Sequence, residues 1–234
     1  MKTELDSYKL KVIAASAMLL DHIAFMFLSD TSPAGLIIHF IGRLAAPIFC
    51  FLTAEGYEHT RDLRKYLLRM AAAAVVSIPC FNYFYYGFVF PVKLFGMIYT
   101  LTLGIIAMYV WDNESMNPLA KTVFLIGLGI FDLVGDWPVM GIVMVLIMHV
   151  LRDSPGQLMK AYAVTALIFT FLLGYATGFR DISWTSSFGM LLFIPFYLMY
   201  SGELGGRKGW KYFFYIFYPV HLVLIRLIYM VVNK

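Results

Sequence analysis

Six ionisable residues, Asp21, His22, His39, Arg43, His221 and Arg226, are set inside long apolar runs of the chain. Charge is costly in hydrocarbon, and such groups face a cavity, a partner or a functional path. With a rise of ~1.5 Å per residue, Asp21 and His22 lie about 17 Å along their run, and Arg43, on a run of opposite direction, comes to a similar height. His221 lies about 14 Å into the last run, with Arg226 further on. Asp21, His22, Arg43 and His221 thus share one layer, and His39 sits one turn from Arg43 on the same face. Histidine titrates near neutral pH and a carboxylate can hold its tautomer, so this layer suits a general base with an orienting acid. The same residues also admit a structural reading, in which Asp21 and Arg43 form an ion pair. A His22–His221 hydrogen bond would then join two helices for only ~0.6 kcal/mol. Neighbours on a helix point ~100° apart, so Asp21 can anchor Arg43 while His22 faces a cavity.

A second constellation follows the second run: Glu55, His59, Arg61, Arg64 and Lys65. Anchoring by positive charge at a membrane face explains the basic residues. They also suit an anionic ligand held by arginine–phosphate contacts. Glu55 and His59 have the four-residue spacing of a helical metal pair, but no second pair accompanies them, so no metal is expected. Asp132 and Asp136 read as a solvated turn after the fifth run, and His149 as a residue that snorkels from a helix end. Cys50 and Cys80 fall inside apolar runs and read as buried small hydrophobes, with no disulfide or zinc spacing. Aromatic residues cluster at 81–90 and 210–218, as interfacial belts do.

The elements that must position these groups are membrane helices. Of 234 residues, 61% are hydrophobic and 14% charged, against about 45–50% and ~25% in soluble domains. Apolar runs long enough to cross a ~30 Å core recur along the chain. The expected spans are 10–28, 34–54, 66–85, 92–111, 119–134, 139–151, 160–177, 186–200 and 212–232. The sixth and eighth are short enough to be tilted or partly re-entrant. The fold class is therefore all-α, a polytopic membrane helix bundle of about nine transmembrane helices, forming a single membrane-embedded domain over 1–234. The first run holds Asp21 and His22 and has no clear small-residue cleavage site, so it is expected to be a retained helix. No internal repeat of the transporter kind is visible.

Lysine and arginine set the expected orientation. With the N-terminus cytoplasmic, the inner segments carry Lys2, Lys9, Lys11, Arg61, Arg64, Lys65, Arg69, Lys121, Arg152, Lys160, Arg207, Lys208 and Lys211. The outer segments carry Lys93, Arg180 and Lys234, and Arg43 and Arg226 stay within the membrane. That asymmetry predicts a cytoplasmic N-terminus and, with nine spans, an external C-terminus.

Read in order, these residues resemble the TraX family of integral membrane acetyltransferases. The likeness runs through 10–14 and 18–23 with Asp21-His22, then 41–49 with Gly42-Arg43 and Pro47, then 51–61 with Glu55, Gly56, His59 and Arg61. Residues 65–69, Ile78-Pro79, 100–104, Gly135-Asp136, Gly141 and 213–222 with Tyr218-Pro219 and His221 continue it over most of the chain. Two positions depart from the pattern: Ser77 stands where a glutamate is expected and Gly96 where an asparagine is.

The resemblance implies transfer of an acyl group, typically acetyl from acetyl-CoA, to an amine or hydroxyl acceptor. The acceptor would be a peptide or glycan, with the N-terminal amine of a pilin-like peptide one possibility. It also implies a multi-pass protein of a bacterial inner membrane, in contact with membrane lipid and not with nucleic acid. On that reading Arg61, Arg64 and Lys65, with His59 and Glu55 beside them, meet the cofactor's phosphates. His22 takes a proton from the acceptor, Asp21 orients the site, and Arg43 stabilises charge on the thioester oxygen or holds Asp21. His221 is a second candidate base or an acceptor-binding group. No cysteine or serine has a nucleophile's surroundings, so transfer is expected to be direct. A proton-coupled transporter would use the same buried Asp, His and Arg groups. An assembly subunit would use them only to pin helices together.

Overall fold

Asp6 closes the start of the first helix by accepting from the Lys9 N–H at 2.7 Å, the service expected of an aspartate N-cap. A computed structural model describes residues 4–206 and 210–233; Lys2, Arg207, Lys208 and Lys234 of the charge count lie outside the described residues. The described chain is helical, with isolated bridges but no strand. Its helices are α1 (Ser7–Phe27), α2 (Pro33–Gly42), α3 (Ala45–His59), α4 (Leu63–Tyr86) and α5 (Met97–Asp112). They continue as α6 (Pro118–Phe131), α7 (Met140–Val150), α8 (Pro155–Ala176), α9 (Phe193–Leu198) and α10 (Trp210–Val232). Short 3-10 segments, Asp132–Val134 and Ser183–Leu192, follow α6 and precede α9.

Among the described residues, five stretches are long and apolar enough to cross a membrane: Ser7–Phe27, Pro33–His59, Leu63–Tyr86, Pro155–Ala176 and Tyr212–Val232. Val75, Val76, Ile168, Leu172 and Leu224 on these helices are more than half exposed. Apolar side chains on outward faces fit a hydrocarbon solvent, and the chain is a helical membrane protein.

Three expected spans differ in detail. The second is two helices, α2 and α3, separated by a turn at Arg43 and Leu44. Pro47 has no N–H for the carbonyl of residue 43 and its ring crowds that carbonyl, so the helix breaks there. The fourth starts at Met97 rather than at 92, because the backbone N–H groups of Lys93 and Leu94 bond instead to the Asn82 side chain, at 2.8 and 3.4 Å. The eighth is mostly 3-10 helix, with α-helix only over Phe193–Leu198.

The chain divides into two compact units, one of Met1–Phe49 with Met159–Lys234, the other of Cys50–Leu158. In the first, α1 packs on α2 and on α10, and α2 also packs on the 3-10 segment Ser183–Leu192. Tyr8 meets Phe214, His22 meets His221, and Phe27 meets Tyr229, so α1 and α10 run parallel. Parallel first and last helices require an odd number of crossings, a condition that five long spans meet as well as nine. In the second unit α5 is central and packs on α4, α6 and α7. Leu103, Ala107, Leu128 and Ile142 form its buried core.

Candidate functional site

The first unit brings together most of the ionisable layer. Asp21 and His22 are neighbours on α1 and diverge by ~100°, so they serve different helices. His22, 6% exposed, faces α10, where its Nδ1 lies 3.0 Å from Nε2 of His221. The other nitrogen of His221, Nδ1, lies 2.8 Å from the Phe217 carbonyl. A carbonyl only accepts, so Nδ1 of His221 donates and, in the neutral ring, its Nε2 accepts. His22 then donates from Nδ1, and its ring also bonds to the Met18 backbone carbonyl of its own helix. Phe217 also stacks on the His221 ring at 4.8 Å. Backbone and partner together set the tautomer of His22, the second-nitrogen control a histidine base requires.

Asp21 faces α2. Its Oδ1 accepts from Nδ1 of His39 at 2.8 Å, and His39 is buried. Nε2 of His39 stands 3.3 Å from Oδ1 of Asp30 in the loop between α1 and α2, in ion-pair range but off hydrogen-bond geometry. Gly42 makes the Asp21 contact possible: a Cβ there would sit 2.4 Å from the Asp21 side chain. The expected Asp21–Arg43 ion pair is not formed; the carboxylate belongs to His39. The reason is geometric, since Arg43 sits at the end of α2 where the chain turns, while His39 is one turn back on the face that meets α1. Nε of Arg43 is buried without a hydrogen-bond partner among the described residues. Arg226 is in the same position, with its guanidinium near Met26 Sδ at 3.9 Å and over the Tyr229 ring.

The second unit holds the basic constellation, around the junction of α3 and α4. Asp62 caps α4 by accepting from the Lys65 N–H at 2.9 Å, and the same side chain lies 3.0 Å from Lys65 Nζ. Those bonds hold its carboxyl below the usual range, the backbone bond foremost. Arg61, Arg64, Lys65 and His59 are exposed and Glu55 is half-buried. His59 Nδ1 bonds to the Glu55 backbone carbonyl at 2.9 Å, so this pair does not converge its side chains in the way a metal pair would. No group of three His, Cys, Asp or Glu side chains among the described residues could hold a metal.

Two residues of the second unit are not where the sequence puts them. His149 does not snorkel: it is 2% exposed, with Nδ1 2.7 Å from Glu58 and Nε2 2.8 Å from Asp112. Arg152 also reaches Glu58 at 2.8 Å, and the Tyr57 hydroxyl donates to Asp112 at 2.9 Å. Paired carboxylates on both nitrogens keep the imidazole inside. Asp132 is not solvated either but fully buried, accepting from Thr100 Oγ1 at 2.7 Å and from the Val139 N–H at 2.9 Å. Gly135 and Gly141 pack directly on Thr100. Of the cysteines, Cys50 is buried and Cys80 half-buried, both as free thiols. Ser77 is buried and bonds to its own helix at the Ala73 carbonyl, and Gly96 is the buried N-cap of α5.

His39 is the residue of this site that sequence reasoning named but left without a role. The usable signal was Gly42, a small residue facing Asp21 that lets α2 close in. The His149 cluster gave no signal, since its members come from distant parts of the chain.

Residues 7–229 match the family model described as TraX protein. The chain is 30% identical over 233 residues to a probable fimbrial assembly protein FimC, serogroup H1, of Dichelobacter nodosus, covering 95% of each chain. No solved structure matches. With one family model spanning nearly its whole length and a relative aligned end to end, this membrane protein belongs to the TraX family.

Proposed function

We propose that the protein is a membrane acyltransferase that moves an acetyl group from cytoplasmic acetyl-CoA to an amine or hydroxyl acceptor, with a pilin-like peptide N-terminus as the favoured acceptor. Membership of the TraX family and a relative named for fimbrial assembly support a pilus-related role. The observation that carries the catalytic reading is the His22–His221 contact at 3.0 Å. It supplies a histidine oriented by a partner ring, buried in a helix pair and away from competing water.

His22 accepts the acceptor's proton as its nucleophile attacks, a role worth ~10²–10⁴-fold in rate. Arg43, whose buried Nε has no hydrogen-bond partner among the described residues, is assigned to the negative oxygen that develops on the thioester. His221 is a positioning residue in this scheme. The exposed Arg61, Arg64 and Lys65 are assigned to the phosphates of the cofactor, with His59 and Glu55 at their side. This assignment places the N-terminus in the cytoplasm of a bacterial inner membrane, the orientation the positive charges favour.

Purified protein with labelled acetyl-CoA tests the proposal. Saturable binding and transfer to a peptide with a free α-amine are expected, and His22→Ala should abolish transfer while cofactor binding persists. Absence of binding at ~1 mM cofactor, a weak limit of about −4 kcal/mol, overturns it. Proton-coupled transport is a second reading, favoured by the Asp21–His39–Asp30 contacts; solute uptake into reconstituted vesicles under a pH gradient would establish it.

A further inference from the structure

We propose that Asp21, His39 and Asp30 form a proton path from the interior of the first unit to the loop between α1 and α2. His39 is its positioning residue and acts through Asp21. The source of the proton rests on the acyl-transfer reading, whereas the path rests on geometry alone.

Three contacts define it. Asp21 lies in the middle of α1, with a side chain 22% exposed. His39 joins it at 2.8 Å through Nδ1 and is itself 7% exposed. Its other nitrogen meets Asp30 at 3.3 Å, and the Asp30 side chain is 56% exposed. A pin between two helices needs one partner for the imidazole. Here each nitrogen faces a carboxylate, one inside the helix pair and one in the open loop, which is the arrangement of a relay. The off-axis outer contact suits an exit, because an exposed side chain can swing onto the N–H or hand the proton to water.

The charged groups around His39 are few. Arg43 lies on the segment that ends its own helix, Asp21 comes from α1 with His22 as neighbour, and Asp30 comes from the loop. The remaining element against α2, Ser183–Leu192, brings no charged residue. Its Gly189 packs on the Phe40 carbonyl instead. The relay therefore has one carboxylate at each end and one cation beside it.

Acylation of an ammonium gives such a path a task. The acceptor R–NH₃⁺ must become R–NH–CO–CH₃, and so loses two protons. The N–C bond forms, the C–S bond of the thioester breaks, and one proton ends on the released thiol. The second proton has to leave for solvent. Entry from Asp21 needs His39 in its Nε2–H form: Nδ1 then takes the proton, the imidazolium releases its Nε2 proton to Asp30 and on to water, and the ring is left as the Nδ1–H donor to Asp21 seen in the structure. Water-assisted exchange of the ring proton from Nδ1 back to Nε2 restores the form that accepts the next one.

The test compares the wild type, His39→Gln and Asp30→Asn in nanodiscs, with acetyl-CoA and a synthetic peptide bearing a free α-amine. Both variants should lose about 10- to 100-fold in kcat, keep the KM for acetyl-CoA, and recover on addition of free imidazole, a diffusible proton carrier. A purely structural role would not give that rescue. Unchanged kcat in Asp30→Asn, with or without a loss in His39→Gln, leaves the path without an exit and overturns it, while the acyltransferase reading stands. Should the wild type transfer nothing, nitrogen-15 resonance of the His39 ring decides the path separately. Exchange of its ring protons with solvent should slow about tenfold or more in Asp30→Asn; equal exchange overturns the path.

Discussion

Nδ1 of His22 on α1 lies 3.0 Å from Nε2 of His221 on α10, and that contact ties the tautomer of His22 to that of His221. The Phe217 carbonyl dictates the tautomer of His221, and His221 dictates that of His22. His221→Phe keeps an aromatic ring beside Phe217 but removes the acceptor for His22 Nδ1–H. Transfer should fall by about 10- to 100-fold in kcat, less than for His22→Ala, with the KM for acetyl-CoA unchanged. Steady-state kinetics with labelled donor measure both constants. An equal loss in the two variants would make His221 a second base rather than a positioning residue.

The charges at the α3–α4 junction should act on the donor and little on chemistry. Arg61 and Arg64 are exposed and form no ion pair among the described residues, while Lys65 is tied to Asp62 at 3.0 Å. Replacing Arg61 and Arg64 together by Gln should raise the KM for acetyl-CoA about tenfold or more while leaving kcat within about twofold, since charge-assisted phosphate contacts are worth ~1.5–3 kcal/mol each. Lys65→Gln alone should do less. Titration of binding against salt supplies a second check, because exposed charges are screened at high ionic strength.

Much of the fold could be read from the sequence because hydrocarbon leaves few options. Apolar runs of sufficient length must be helices, and the long spans of α1, α4, α8 and α10 appear close to their expected bounds. The second span broke because Pro47 acts locally, a signal present in the sequence but outweighed by the continuity of the apolar run. The candidate site was legible in membership and not in pairing. Asp21, His22, Arg43 and His221 stood out as ionisable groups at one depth, yet depth says nothing of azimuth. Azimuth is what gave Asp21 to His39 and His22 to His221. Asp132 and His149 were misjudged for one reason: each sits at a helix end, where solvent is the default partner, and each is enclosed by residues far away in the chain. The Asp112 that holds His149 is separated from it by 37 positions.

Gly42 lets α2 approach α1 closely enough for His39 to reach Asp21. Gly42→Ala would place a Cβ 2.4 Å from the Asp21 Cβ and from Oδ1. The helices must part by about 1 Å or the Asp21 side chain must shift, at ~1–3 kcal/mol. Gly189→Ala is the harsher change, since the obstacle at 1.8 Å is the Phe40 backbone carbonyl, which cannot rotate away as a side chain can. Thermal unfolding in detergent should rank wild type above Gly42→Ala above Gly189→Ala. The reverse order would mean that the 3-10 segment Ser183–Leu192 is not held against α2 as described.

Buried His149 gives the second unit its own electrostatic test. Its two nitrogens hold Glu58 and Asp112, and those carboxylates are also met by Arg152 and Tyr57. His149→Leu fills the space but leaves two carboxylates facing each other across an apolar side chain. Because Glu58 and Asp112 are 26% and 42% exposed, part of that cost is relieved by water, and a loss of about 1–3 kcal/mol is expected rather than the 3–5 of a fully buried pair. Tyr57→Phe removes one hydrogen bond to an exposed carboxylate and should cost about 1 kcal/mol or less. Adding Asp112→Asn to His149→Leu should restore part of the stability, since Asp112 is the carboxylate left without a cation while Glu58 keeps Arg152. A double variant no more stable than His149→Leu alone would show that packing around the ring, not the carboxylate pair, is what His149 contributes.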